Sequence, residues 1–110
     1  MAIRRYEFYK GKESKERLDS NDVLKVIRSI PVEELETYGF SVEERGDSLR
    51  LIGRHTPRAG GFSSCVIGGF SDNELRMSTN EDCVTVSRYI SNLSQLLNHK
   101  GLNTSLIERI

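Results

Sequence analysis

The chain has 110 residues, with sixteen basic and sixteen acidic side chains, and this zero formal charge argues against a dedicated nucleic-acid binder, whose affinity comes mainly from neutralising phosphates. No run of eighteen apolar residues occurs, so no membrane-spanning helix is expected, and the opening MAIRRYEFYKGK lacks the apolar stretch of a secretory signal. Two cysteines, Cys65 and Cys83, match no zinc spacing and no CxxC motif; the simplest reading is a cytoplasmic protein with free thiols, a Cys65–Cys83 disulfide staying open.

In chain order, IRRYEFY (3–9) alternates and is aromatic-rich, which predicts a strand with Tyr6 and Phe8 on one face. KGKESKER (10–17) reads as a charged connection. Ser20 or Asn21 can then cap a helix with Asp22 in its first turn and Val23, Leu24, Ile27 and Ile30 at helical spacing. Pro31 ends that helix, since it has no N–H to donate, and opens a second short one, VEELETY, with Gly39 as the residue that stops it and Phe40 packing back.

Residues 40–79 predict four strands in an antiparallel meander. FSVEER and SLRLIGR flank Gly46-Asp47, suited to a type II′ hairpin turn, and FSSCVIGGF and ELRMST flank Ser71, Asp72 and Asn73, whose side chains favour turns. Gly68-Gly69 is expected to mark a bulge or bend. Leu75 and Met77 point one way; Glu74, Arg76 and Ser78 point the other.

Asn80, Glu81 and Asp82 start a long helix. Cys83, Val86, Ile90, Leu93 and Leu97 share one face, widened by Tyr89 and Leu96, and Gly101 ends it after His99 and Lys100. LNTSLIERI is open between a short helix and a last strand. The fold class is thus α+β: one domain over 1–110, an antiparallel sheet of four to six strands, with a long C-terminal helix and one or two short helices packed on a face.

The segment 54–70 looks busiest. Gly60 and Gly61 can form an anion-binding nest with Arg54 and Arg58 supplying charge, and Cys65 could be a nucleophile with His55 as its base. Neither GxxxxGK[ST] nor GxGxxG occurs, and strand rather than helix follows Gly61, so a hairpin loop and a buried, inert Cys65 is the simpler account. His55 and His99 give no pattern for a metal site, and no cofactor fingerprint is present.

Charge segregation is the more informative feature. Glu33, Glu34, Glu36, Glu43, Glu44 and Asp47 fall within fifteen residues, with Arg45 the only base among them. A solvated face accounts for such a run; a surface that attracts a basic partner accounts for it too. The functional expectation is a non-catalytic protein-binding protein, most concretely a cytoplasmic inhibitor or immunity-type protein that neutralises a toxic enzyme such as a basic nuclease, with Tyr38 as a central anchor and with no direct contact to nucleic acid or membrane. Two alternatives stand beside it. One is a small enzyme or anionic-ligand binder using Arg54, His55, Arg58, Gly60, Gly61 and Cys65; the other is a subunit assembling through a free edge of strand 3–9.

Overall fold

The computed structural model describes residues 2–11, 15–46, 48–55, 64–71, 74–79 and 83–109, with side chains for all of these except positions 2, 45, 54, 55, 64, 65, 71, 78, 79 and 83–85. Along the chain come β1 (Ala2–Lys10), α1 (Ser20–Ser29), α2 (Val32–Thr37), β2 (Phe40–Arg45), β3 (Ser48–His55), β4 (Ser64–Ser71), β5 (Glu74–Thr79), α3 (Cys83–His99) and β6 (Thr104–Arg109). The strands form one six-stranded sheet in the order β2-β3-β4-β5-β1-β6, antiparallel throughout. The expected α+β class and the β2–β5 meander are both present.

Strand β1 departs from expectation. It lies between β5 and β6, so it is no free edge for assembly. The physical reason is the C-terminal segment. Residues 104–109 take the strand alternative and pair along β1, Phe8 opposite Leu106 and Lys10 opposite Thr104, which occupies the backbone groups an edge would expose. Among the described residues the outermost strands are β2 and β6.

Helix ends follow local chemistry. The cap of α1 is Asp19, one residue earlier than expected: its carboxylate accepts from the Asn21 N–H at 2.9 Å, and Ser20 is already helical and buried. Ile30 leaves the helix in an extended conformation (φ −83°, ψ 128°), the geometry a following proline imposes. Gly39 (φ 82°) and Gly101 (φ 88°) adopt the left-handed conformation that closes α2 and α3; beyond α3 the Leu102 N–H reaches back to the Leu97 carbonyl at 3.0 Å. Gly46 (φ 58°) supplies the positive φ that begins the β2–β3 hairpin, while Asp47 lies outside the described residues, as do Asp72, Asn73 and the 80–82 start of the long helix.

The helices cover one face of the sheet. Its core includes Tyr6, Phe8, Phe40, Leu49, Leu51, Val66, Phe70, Leu75 and Met77 from the strands, and Val23, Ile27, Val86, Tyr89, Leu93, Leu96 and Leu97 from α1 and α3. Ile90 is only half-buried, so the buried stripe of α3 centres on Tyr89, Leu93 and Leu96–Leu97.

The Gly68-Gly69 pair marks no bulge: β4 pairs residue for residue with β3 and with β5 through both glycines. Gly68 instead makes room for Tyr89. A methyl group on Gly68 would collide with the Tyr89 hydroxyl and approach Leu75 Cδ1 to 2.8 Å, and one on Gly53 would collide with the Tyr89 ring. These two glycines form a notch from which the Tyr89 hydroxyl donates to the Leu51 carbonyl at 2.7 Å, while the ring meets Phe40 edge-on at 5.2 Å.

Candidate functional site

The acidic segment folds into one margin of the molecule. Strand β2 is an outermost strand, and α2, which immediately precedes it, packs against it. Glu33 and Glu36 are exposed on α2, and neither carboxylate has a partner among the described residues. Glu34 is half-buried and ion-paired to Lys100 at 2.6 Å, a contact that ties α2 to the end of α3. On β2, Glu44 binds Arg28 of α1 at 2.8 Å, and Glu43 is half-buried opposite Arg50 in the β2–β3 register. Asp47 lies outside the described residues.

The structure therefore gathers these carboxylates but does not leave them equally available. Two of the five described ones face a cation from a neighbouring helix or helix end, so the negative field of the margin is weaker than the run of residues suggests. Tyr38 is half-buried, packs against the core, and takes a hydrogen bond from Asn92 on its backbone carbonyl at 3.4 Å. A shallow depression lined by Glu36, Gly39, Phe40 and Ser41 marks the α2–β2 junction.

Only the backbone is described for the main residues of the other expected site. Arg54 pairs with Cys65 and His55 with Ser64 across the β3–β4 ladder. Arg58, Gly60 and Gly61 lie outside the described residues, and so do the side chains of Arg54, His55, Cys65 and Cys83. His99 is exposed in the last turn of α3. Among the described residues no three His, Cys, Asp or Glu side chains come together as metal ligands, and no helix is long and apolar enough to cross a membrane.

A charged cluster that the sequence did not single out lies on the face opposite the helices. Glu74 is 1% exposed although its alternation points it away from the core. Three guanidinium groups surround its carboxylate: Arg76 Nε donates to Oε1 at 2.7 Å, Arg5 Nε lies 3.8 Å from Oε1, and Arg109 Nη1 lies 3.5 Å from Oε2. The hydrogen bond from Arg76 holds the Glu74 pKa below the usual glutamate value against the opposing effect of burial, with the charges of Arg76, Arg5 and Arg109 adding to it. Oε2 has no hydrogen bond among the described residues. Next to it, Glu7 accepts from the Tyr9 hydroxyl at 2.6 Å and lies 3.5 Å from Arg17 and 3.9 Å from Arg109. The hydrogen bond to Glu7 is the main reason the Tyr9 pKa is raised.

The outward alternation of Glu74 and Arg76 was legible in the sequence. The pairing that sets Arg5 and Arg109 beside them was not, because it joins strands from the two ends of the chain. Comparison with protein-family models, curated proteins and solved structures finds no match for this chain.

Proposed function

We propose that this chain is a non-catalytic protein-binding protein that meets a basic partner along the α2–β2 margin, in its most specific form an inhibitor or immunity-type protein that neutralises a toxic enzyme such as a basic nuclease. The observation that carries the reading is the pair Glu33 and Glu36, exposed and without counter-ions among the described residues, beside the outermost strand β2. An edge strand offers backbone N–H and C=O groups to a partner, and uncompensated carboxylates next to it raise the encounter rate with a basic surface and disfavour acidic ones. Against a nuclease, those carboxylates would take the places of substrate phosphates.

The test is capture of the partner from a native lysate, identified by mass spectrometry, on wild-type protein and on the double variant Glu33→Lys, Glu36→Lys, followed by association kinetics with the purified partner at low salt. The expected result is association slowed by roughly tenfold or more with an unchanged melting midpoint, since both side chains are exposed. Unchanged association at low salt rejects the margin as the contact. Fast labelling of Cys65 by a thiol reagent at neutral pH, in the folded protein, would favour the anionic-ligand alternative instead.

A further inference from the structure

The uncovered face of the sheet is sorted into rows that run across the strands. Register pairs Arg50 with Gly69, Gly69 with Arg76, Arg76 with Arg5, and Arg5 with Arg109, so four arginines and a glycine form one line from β3 to β6. Two residues further along the strands, Ile52 pairs with Ile67, and Ile67 and Ile3 both pair with Ser78. Ile3 is 64% exposed and Ile67 39%, two of the few large apolar side chains that stand in solvent. On the other side of the arginine row lie Glu74 and Glu7.

This arrangement costs stability by itself. Like charges directly opposite each other on neighbouring strands repel, and here Arg5 faces an arginine on each side. Glu74 offsets part of that repulsion from beneath. Arg50 has no hydrogen bond or ion pair among the described residues and is exposed; a Cβ placed on Gly69, between Arg50 and Arg76, meets nothing within 4 Å. Arg50, Gly69, Arg76, Ile3 and Ile67 enclose a depression of about 370 Å³. A cationic gap bordered by exposed isoleucines fits a ligand with carboxylates along one edge and apolar groups along the next.

We infer that this face docks an acidic amphipathic helix of a partner protein, its carboxylates on the row from Arg50 to Arg109 and its apolar side chains on Ile3, Ile52 and Ile67. The rows stand roughly 7 Å apart, two residues along a strand, and the arginine row spans roughly 19 Å, four strand spacings. An extended peptide turns alternate side chains away and can serve one row; a helix of about 13 residues covers the length and presents two adjacent rows at once. Bulk charge argues against a nucleic acid or an anionic membrane. Among the described residues Glu7, Glu43 and Glu74 share this face with the four arginines and Arg17, and its one ring, Tyr9, is tied to Glu7, so the cations are partly neutralised and no row of stacking platforms accompanies them. A second copy related by a two-fold axis along the strands would set arginines against arginines. This surface is separate from the α2–β2 margin, and the inference does not depend on the reading given for that margin.

The experiment uses the full chain and a fluorescein-labelled helical peptide of about 15 residues, with glutamates along one edge and leucines along the neighbouring edge. Fluorescence anisotropy at low salt should show saturable binding. Gly69→Asp, which places a carboxylate in the gap, and Ile67→Asn should each weaken binding by about tenfold or more, whereas Lys25→Gln, the same change in net charge on α1, should not. Thermal midpoints of all variants, by circular dichroism, separate lost binding from lost folding. Absence of wild-type binding overturns the inference, and so does equal binding of a peptide whose leucines are replaced by serine. Tighter binding to a uridine oligoribonucleotide or to phosphatidylserine vesicles, or a dimer in sedimentation that Gly69→Asp dissolves, assigns the face to another occupant and also overturns it.

Discussion

The two faces of the sheet are built from the same strands by opposite rules. On the helix-covered face, neighbouring positions are complementary in volume: Gly53 and Gly68 are empty where Tyr89 is large, and Phe8 stacks on Phe70 at 5.8 Å. On the uncovered face, neighbouring positions are alike in chemistry, arginine beside arginine and isoleucine beside isoleucine. The first pattern is what close packing demands. The second is opposed by repulsion that Glu74 only partly offsets, so the difference separates a face shaped by packing from a face whose chemistry packing does not explain.

Breaking the covered face should have the largest effect. Leu93→Ala, at a fully buried site on α3, is expected to cost about 2–5 kcal/mol in urea unfolding. Overpacking the notch comes next: Gly53→Ala and Gly68→Ala should each cost about 1–3 kcal/mol. The two differ in their coupling to Tyr89→Phe, which by itself loses a buried hydrogen bond and about 0.5–1.5 kcal/mol. A methyl on Gly68 collides with the hydroxyl, so the double variant should be less destabilised than the sum of the single changes; a methyl on Gly53 collides with ring carbons that phenylalanine keeps, so that pair should add. Additivity in both pairs would show that the notch is not shaped by Tyr89.

Glu74 is the buried charge of the uncovered face. Glu74→Gln should cost about 1–2 kcal/mol at neutral pH, the low part of the range for charged hydrogen bonds, because the surrounding arginine side chains are 41%, 48% and 57% exposed. Since the folded-state pKa of Glu74 is lowered, its contribution is complete above the usual glutamate value of 4.5 and is lost as pH falls through the lower folded value. Urea midpoints of wild type and Glu74→Gln should therefore converge in acid; a constant gap would remove the charge from the account. The smallest effect belongs to the uncovered face itself. Gly69→Ala meets open space and should stabilise by about 0.4–1 kcal/mol through the unfolded chain, opposite in sign to Gly68→Ala one residue earlier.

Much of the acidic margin was readable in the residue order because α2 and β2 are adjacent in the chain, and local sequence keeps them adjacent in space. Its electrical strength was not readable. Arg28 and Lys100, which bind Glu44 and Glu34, come from sixteen residues before and sixty-six residues after their partners. The arginine row was less legible still, because Arg5, Arg50, Arg76 and Arg109 are separated by tens of residues and each reads as an ordinary solvated charge on its own strand.

Residue order was enough to assign the type of most elements, the inward face of the strands and that four middle strands form a meander, because capping, period and turn chemistry act over a few residues; it left 102–110 undecided between helix and strand. Tertiary structure alone decided that the two ends of the chain lie side by side in the sheet, that Gly68 accommodates a ring instead of a bulge, and that an outward-pointing glutamate is buried under three arginines. Those outcomes depend on strand register between distant segments, and register is set by the packing of the whole covered face, which no short stretch of residues contains.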